Sequence, residues 1–93
     1  MSDIASQPEN VLYPAIDLPA TGRNIERLRT AAGYSVRDLQ RLLGLSSAQA
    51  IYKWQRGQAL PSLDNMVVLS RLLKARIEEI LVCKGSAAGK ESE

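Results

Sequence analysis

Apolar residues recur at three- and four-residue spacing along residues 24–82, and no stretch alternates apolar with polar. That spacing predicts short amphipathic helices and no strands. The first helix is expected to start after Thr21-Gly22, to turn Ile25, Leu28, Ala31 and Ala32 inward, and to stop at Gly33. Ser35 reads as the N-cap of a second helix, with Asp38 three residues on completing a capping box. Val36, Leu39, Leu42 and Leu43 form its apolar side, and Gly44 ends it. A third helix is expected over about 47–56, capped by Ser46 or Ser47 and closed by Gly57. Pro61-Ser62 opens a fourth, with Asp64 at its positive end and Leu63, Val67, Leu69 or Ser70, and Leu72-Leu73 at helical spacing. Ala75-Arg76 breaks it before a short fifth helix from Ile77 to about Val82.

The third helix has two unlike faces. Ile51 and Trp54, flanked by Ala50 and Ser47, fall on one side. Gln49, Tyr52, Lys53 and Arg56 stand at i, i+3, i+4 and i+7 and stack along the other. An apolar face anchors a helix to a core, whereas an amide, a phenol and two cations suit base edges and phosphates. Trp54 lies opposite Lys53 and is expected in the core, not stacked on nucleic acid.

Composition narrows the class. The chain has 93 residues, one small domain's worth, with 45% hydrophobic residues and no Phe, so its core rests on aliphatic side chains. No apolar run approaches the roughly 18 residues of a membrane span, and no signal pattern opens the chain, which suggests a soluble cytoplasmic protein. The single Cys83 excludes an internal disulfide, and with no His no zinc site is expected. Neither a cofactor nor another metal is indicated. Net charge is only +2, but it is unevenly spread. Residues 1–22 hold Asp3, Glu9 and Asp17 and no cation, while residues 23–84 hold eleven Lys and Arg against five acids. The helical region alone is basic, as a polyanion partner would favour.

Two flanks complete the layout. Residues 1–21 contain Pro8, Pro14 and Pro19, which speak against a continuous helix, yet Val11-Leu12-Tyr13-Pro14-Ala15-Ile16 is apolar. This N-terminal arm is expected to be extended or partly disordered, either lying on the domain or a second subunit or acting as a flexible leader. Residues 84–93 are small and polar and are expected to form a disordered tail. Residues 22–83 remain as the folded domain.

Two short helices joined by a glycine-containing turn match the helix-turn-helix motif. With Ile25-x-x-Leu28-Arg29, Gly33-Tyr34-Ser35, Asp38-Leu39, Leu43-Gly44, Ile51 to Gly57, Pro61-Ser62-Leu63 and Leu73…Ile80-Leu81 in this order, the stretch Asn24 to Leu81 resembles the phage-repressor (XRE type) helix-turn-helix regulators. The resemblance implies an all-α fold, a compact five-helix domain with an extended N-terminal arm. It also implies sequence-specific double-stranded DNA binding, usually as a homodimer, with the third helix in the major groove. By the same resemblance Gln49 and Lys53 fall where such regulators read bases, and Ser47 and Arg56 where they touch phosphate. Tyr52 projects beside these to meet a thymine methyl or a sugar, and Ala48 is small enough to lie against the groove.

The chain departs from the family pattern at several points. Val36 stands where a phosphate-touching Gln is common, with Arg37 next door as a substitute. Gln40 replaces a small residue of the second helix, so it must fit the helix crossing or point outward. The segment from Gly44 to Ile51 is one residue longer than in the phage repressors, which bears on the register of Ala48 and Gln49. Gln55 stands where the family often pairs a Glu with the residue matching Arg29, so a neutral hydrogen bond is expected there.

Other side chains carry plainer readings. Arg23, Arg27 and Arg41 either reach phosphates or form a solvated face, and Arg71, Lys74, Arg76 and Lys84 suit solubility or a dimer rim. Tyr34 is expected to pack, and Cys83 to be a buried or half-buried thiol. The competing function is a protein-interaction module, such as an antitoxin or adaptor, with the N-terminal arm meeting a protein partner. Without His, a nucleophile–base pair or a phosphate-cradling glycine loop, an enzyme is not expected.

Overall fold

Capping side chains and glycines set most helix ends in a computed structural model, which describes residues 15–84. Five helices follow one another: α1 Leu18–Ala32, α2 Val36–Leu43, α3 Gln49–Gln55, α4 Leu63–Leu73 and α5 Ile77–Ile80. The capping box is present, with Ser35 Oγ accepting from the Asp38 N–H at 2.9 Å and Asp38 accepting from the Ser35 N–H at 2.8 Å. The Ser35 N–H, then the Ser35 hydroxyl, holds the Asp38 carboxyl below its ordinary range. The contribution of this cap is therefore present above the unfolded-state pKa and is lost as pH falls through the depressed one. Ser62 caps α4 through the Asn65 N–H. Gly33 and Gly44 end α1 and α2 as expected.

The start of α1 differs from the expectation. It begins at Leu18, not after Gly22, because Asp17 caps it by accepting from the Ala20 N–H at 3.0 Å. Pro19 sits in the first turn, where its missing N–H has no partner to lose and its fixed φ already suits a helix. Ile16 and Cys83 form an isolated antiparallel bridge, the Asp17 N–H donates to the Val82 carbonyl at 2.7 Å, and the Lys84 N–H donates to the Ala15 carbonyl at 2.7 Å. Buried Thr21 adds a side-chain clasp: its Oγ1 accepts from the Val82 N–H at 2.8 Å and donates to the Val82 carbonyl. Asn24 Nδ2 donates to the carbonyls of Glu79 and Ile80. These bonds draw the chain out of helix after Ile80, so α5 stops two residues short of Val82. The rest of the N-terminal arm, residues 1–14, and residues 85–93 of the expected tail lie outside the described residues.

One core joins all five helices. Ile25, Leu39, Ile51, Trp54, Met66, Leu69, Leu73, Ala75 and Ile80 are buried together, with Leu28, Tyr34, Val36 and Leu43 packed around them. Three details of the expected apolar faces are corrected. Ala31 and Ala32 are exposed because α1 has passed the core by its last turn. Leu42 is exposed on α2, whose inward stripe narrows to Val36, Leu39 and Leu43. In α4, Leu63 and Val67 face outward, at 74% and 42% exposure, and Met66, Leu69 and Leu73 fill the core. That helix carries two apolar stripes, and only packing against α1, α2 and α5 selects between them.

Candidate nucleic-acid interface

The third helix is anchored by the face the sequence assigned to it. Ile51 is fully buried and Trp54 nearly so. Gln49, Tyr52, Lys53 and Arg56 are all exposed. Among the described residues, neither Lys53 nor Arg56 forms an ion pair. Two uncompensated cations, an amide and a phenol therefore share one solvent-facing surface.

The segment before this helix is built differently from the expectation. The helix starts at Gln49, and neither Ser46 nor Ser47 is its N-cap. Ala48 occupies that position, half-buried and in helical conformation, without a side-chain cap bond. Ser47 Oγ instead accepts from the Gln49 N–H at 3.3 Å. Residues 46–48 thus form a turn ahead of the helix, which runs from Gln49 to Gln55. At the far end Gly57 takes φ 75°, a left-handed conformation that glycine adopts without strain, and a Cβ there would press on Pro19 at the start of α1.

Between α2 and α3 runs a groove of about 750 Å³. Ser47, Ala48 and Tyr52 line one side, and Val36, Arg37 and Gln40 the other. Arg37 is exposed, while Val36 beside it packs on the core. Gln40 is half-buried, and its Nε2 donates to the Leu45 carbonyl at 3.4 Å, so it fits the helix crossing. The hydrogen bond expected between Arg29 and the uncharged Gln55 is formed as well: Arg29 Nε donates to Gln55 Oε1 at 3.0 Å, and Arg29 Nη1 donates to the Tyr34 carbonyl at 2.7 Å. Tyr34 packs against the core, as expected.

The structure brings Ser47, Ala48, Tyr52 and Arg37 together around the groove, with Gln49, Lys53 and Arg56 on the adjoining helix surface. Arg41 pairs with Asp38 at 3.3 Å on the exposed side of α2 and shares a second depression with Arg37 and Gln40. Arg27 lies on α1 and donates to Asn24. One residue that positions this surface was read in the sequence only as lying just before the first helix. Gly22 is buried where α1 crosses α3, and a Cβ there would collide with the backbone carbonyls of Trp54 and Gln55. A small residue at a close crossing is its only local signature, and Gly22 sits in a segment whose prolines masked the helix.

Among the described residues no group of His, Cys, Asp and Glu is arranged to hold a metal ion, and no helix is long and apolar enough to cross a membrane.

Comparison with known proteins accords with this geometry. The restriction-modification controller protein C.AhdI from Aeromonas hydrophila is 34% identical, over 69% of this chain and 96% of its own, with a TM-score of 0.61. The P22 c2 repressor protein, solved in complex with a synthetic operator, is 27% identical over 71% of this chain and 96% of its own, with a TM-score of 0.61. The clp gene regulator ClgR from C. glutamicum shares the fold at 20% identity and a TM-score of 0.60, over 74% of this chain and 88% of its own. Among curated proteins, none matches the chain. The helix-turn-helix family pattern matches residues 25–80, from the middle of α1 to the end of α5. With that match across most of the chain and the turn between α2 and α3 in place, this protein belongs to the XRE-type helix-turn-helix family.

Proposed function

We propose that this protein is a small cytoplasmic transcriptional regulator that binds a specific double-stranded DNA sequence as a homodimer, with α3 in the major groove. The observation that carries the reading is the division of α3 itself: Ile51 and Trp54 are locked into the core, while Gln49, Tyr52, Lys53 and Arg56 stand free on the opposite side. The related P22 c2 repressor in complex with an operator supports it. Gln49 and Lys53 read base edges, the first by a two-pronged bond to adenine and the second by donating to guanine. Tyr52 and Ala48 contribute apolar contact beside them. Ser47, Arg56 and Arg37 hold backbone phosphates and fix the register.

Selection from a random duplex library is expected to return a pseudo-palindrome whose half-sites lie about one helical turn, ~34 Å, apart. On the selected duplex, Lys53→Ala weakens binding by about 1–3 kcal/mol and relaxes the base preference at one position per half-site. Arg56→Ala weakens selected and random duplexes alike and reduces the slope of log K against log salt by about 1 per subunit. An Arg56 variant with the parent salt slope removes that residue from the phosphate set.

The exposed apolar stripe of α4 supports pairing of two copies. Leu63, Val67 and Val68 stand on solvent, away from the core residues Met66, Leu69 and Leu73 of the same helix, so a contact through the stripe leaves both recognition helices free. Val67→Glu is expected to convert two-subunit binding of the palindrome into weak binding of single half-sites, followed by sedimentation of the protein–duplex complex. Dimeric complexes formed by this variant at parent affinity place the dimer contact elsewhere.

A further inference from the structure

Arg29 is the one cation of the groove whose charge the fold holds in place without neutralising it. Its two hydrogen bonds go to the amide oxygen of Gln55 and the main-chain carbonyl of Tyr34, both uncharged. Among the described residues it has no carboxylate partner. Arg29 as a residue is half-buried and lines the groove between α2 and α3. No buried side-chain nitrogen in the described structure lacks a partner, so its uncommitted Nη2 edge opens to solvent. None of the residues lining that groove is acidic; Arg37 adds a second cation, and Ser35, Ser46, Ser47 and Tyr52 supply hydroxyls.

We propose that Arg29, oriented by Gln55, is a ligand for a backbone phosphate of the bound duplex, seated in this groove; the proposal rests on the DNA-binding reading above. A half-buried cation with only uncharged acceptors has no partner charge offsetting it, and partial burial strengthens its attraction for an anion. A guanidinium offers paired N–H groups that match two phosphate oxygens, and such charge-assisted bonds are about twice as strong as neutral ones. Gln55 and the Tyr34 carbonyl already fix the guanidinium plane, so little side-chain freedom is lost when phosphate arrives. A carboxylate at position 55 would accept the same Nε–H bond but would cancel the charge. The neutral amide thus leaves the cation available, and Gln55 is the positioning residue.

The test compares the parent protein with Gln55→Glu and with Arg29→Gln on a library-selected duplex and on a random duplex. Salt dependence and phosphate-ethylation interference are both measured, and circular dichroism checks that each variant is folded. Gln55→Glu keeps the hydrogen bond and removes the net charge. The slope of log K against log salt is expected to fall by about 0.9 per DNA-bound subunit. Both duplexes weaken by the same factor, and one phosphate per half-site leaves the interference pattern. Arg29→Gln, wherever it folds, gives the same changes. Parent slope or parent interference pattern in folded Gln55→Glu overturns the proposal while leaving DNA binding intact. Failure of the parent protein to bind either duplex at low salt instead overturns the functional reading beneath it.

Discussion

Replacing Trp54 with alanine lowers the free energy of unfolding by about 3–5 kcal/mol, the usual cost of emptying a buried aromatic site. A small domain has only about 5–15 kcal/mol in total, so this one change removes a large fraction of its stability. The position justifies the upper part of the range. Trp54 is 4% exposed, sits on a helix of seven residues, and is packed with Ile25, Leu39 and Ile51 in the core. So short a helix is not stable alone, and its burial against α1 has to hold it. Operator binding is lost together with the fold, because the outward residues of α3 are displayed only while its inner face is anchored. Denaturant unfolding followed by circular dichroism reads the effect. A midpoint close to the parent's would show that Trp54 is not the anchor.

The second large effect is expected at Gly22. Gly→Ala within a helix ordinarily stabilises by up to about 1 kcal/mol, because alanine loses less backbone entropy on folding. Here the sign reverses. The added methyl meets the carbonyl oxygens of Trp54 and Gln55, which are main chain and cannot swing aside as a flexible side chain would. Overpacking of this kind costs about 1–3 kcal/mol and exceeds the propensity gain. The relief available is separation of α1 from α3, which shifts the whole recognition surface. Gly22→Ala should therefore reduce operator affinity at temperatures where the variant is still fully folded. Thermal melts and binding isotherms on the same samples separate the two effects, and a stabilised variant with parent affinity would contradict the close crossing.

Much of this surface was legible before the fold was known, for a definite reason. Helix caps act within three or four residues, so Ser35 with Asp38, Ser62, and the glycines at 33, 44 and 57 announce their helix ends in the sequence itself. The same short range made the faces of α3 readable, because residues at i, i+3, i+4 and i+7 lie together whatever surrounds the helix. Where two apolar stripes competed, periodicity had no means of choosing. Leu63 and Val67 are as well spaced as Met66, Leu69 and Leu73, and only the surfaces of α1, α2 and α5 decide which stripe is covered. Pro19 misled for a related reason. Its meaning depends on whether a cap precedes it, and Asp17 supplies one.

The chain by itself determined an all-helical domain, a two-faced third helix with Trp54 inside and Lys53 outside, and a neutral residue opposite Arg29. These follow from periodicity, local capping and a family pattern that runs through the helices. Tertiary structure alone decided how close α1 and α3 come at Gly22, that residues 46–48 form a turn with Ala48 at the cap position of α3, and where the guanidinium of Arg29 opens. It also decided that Ala15 to Asp17 are fastened to Val82 to Lys84 and that Thr21 clasps Val82, 61 positions away. Bonds over such distances leave no mark on neighbouring residues, because each partner's local preferences are satisfied with or without the other. The contact that sets the recognition helix in place is of this kind.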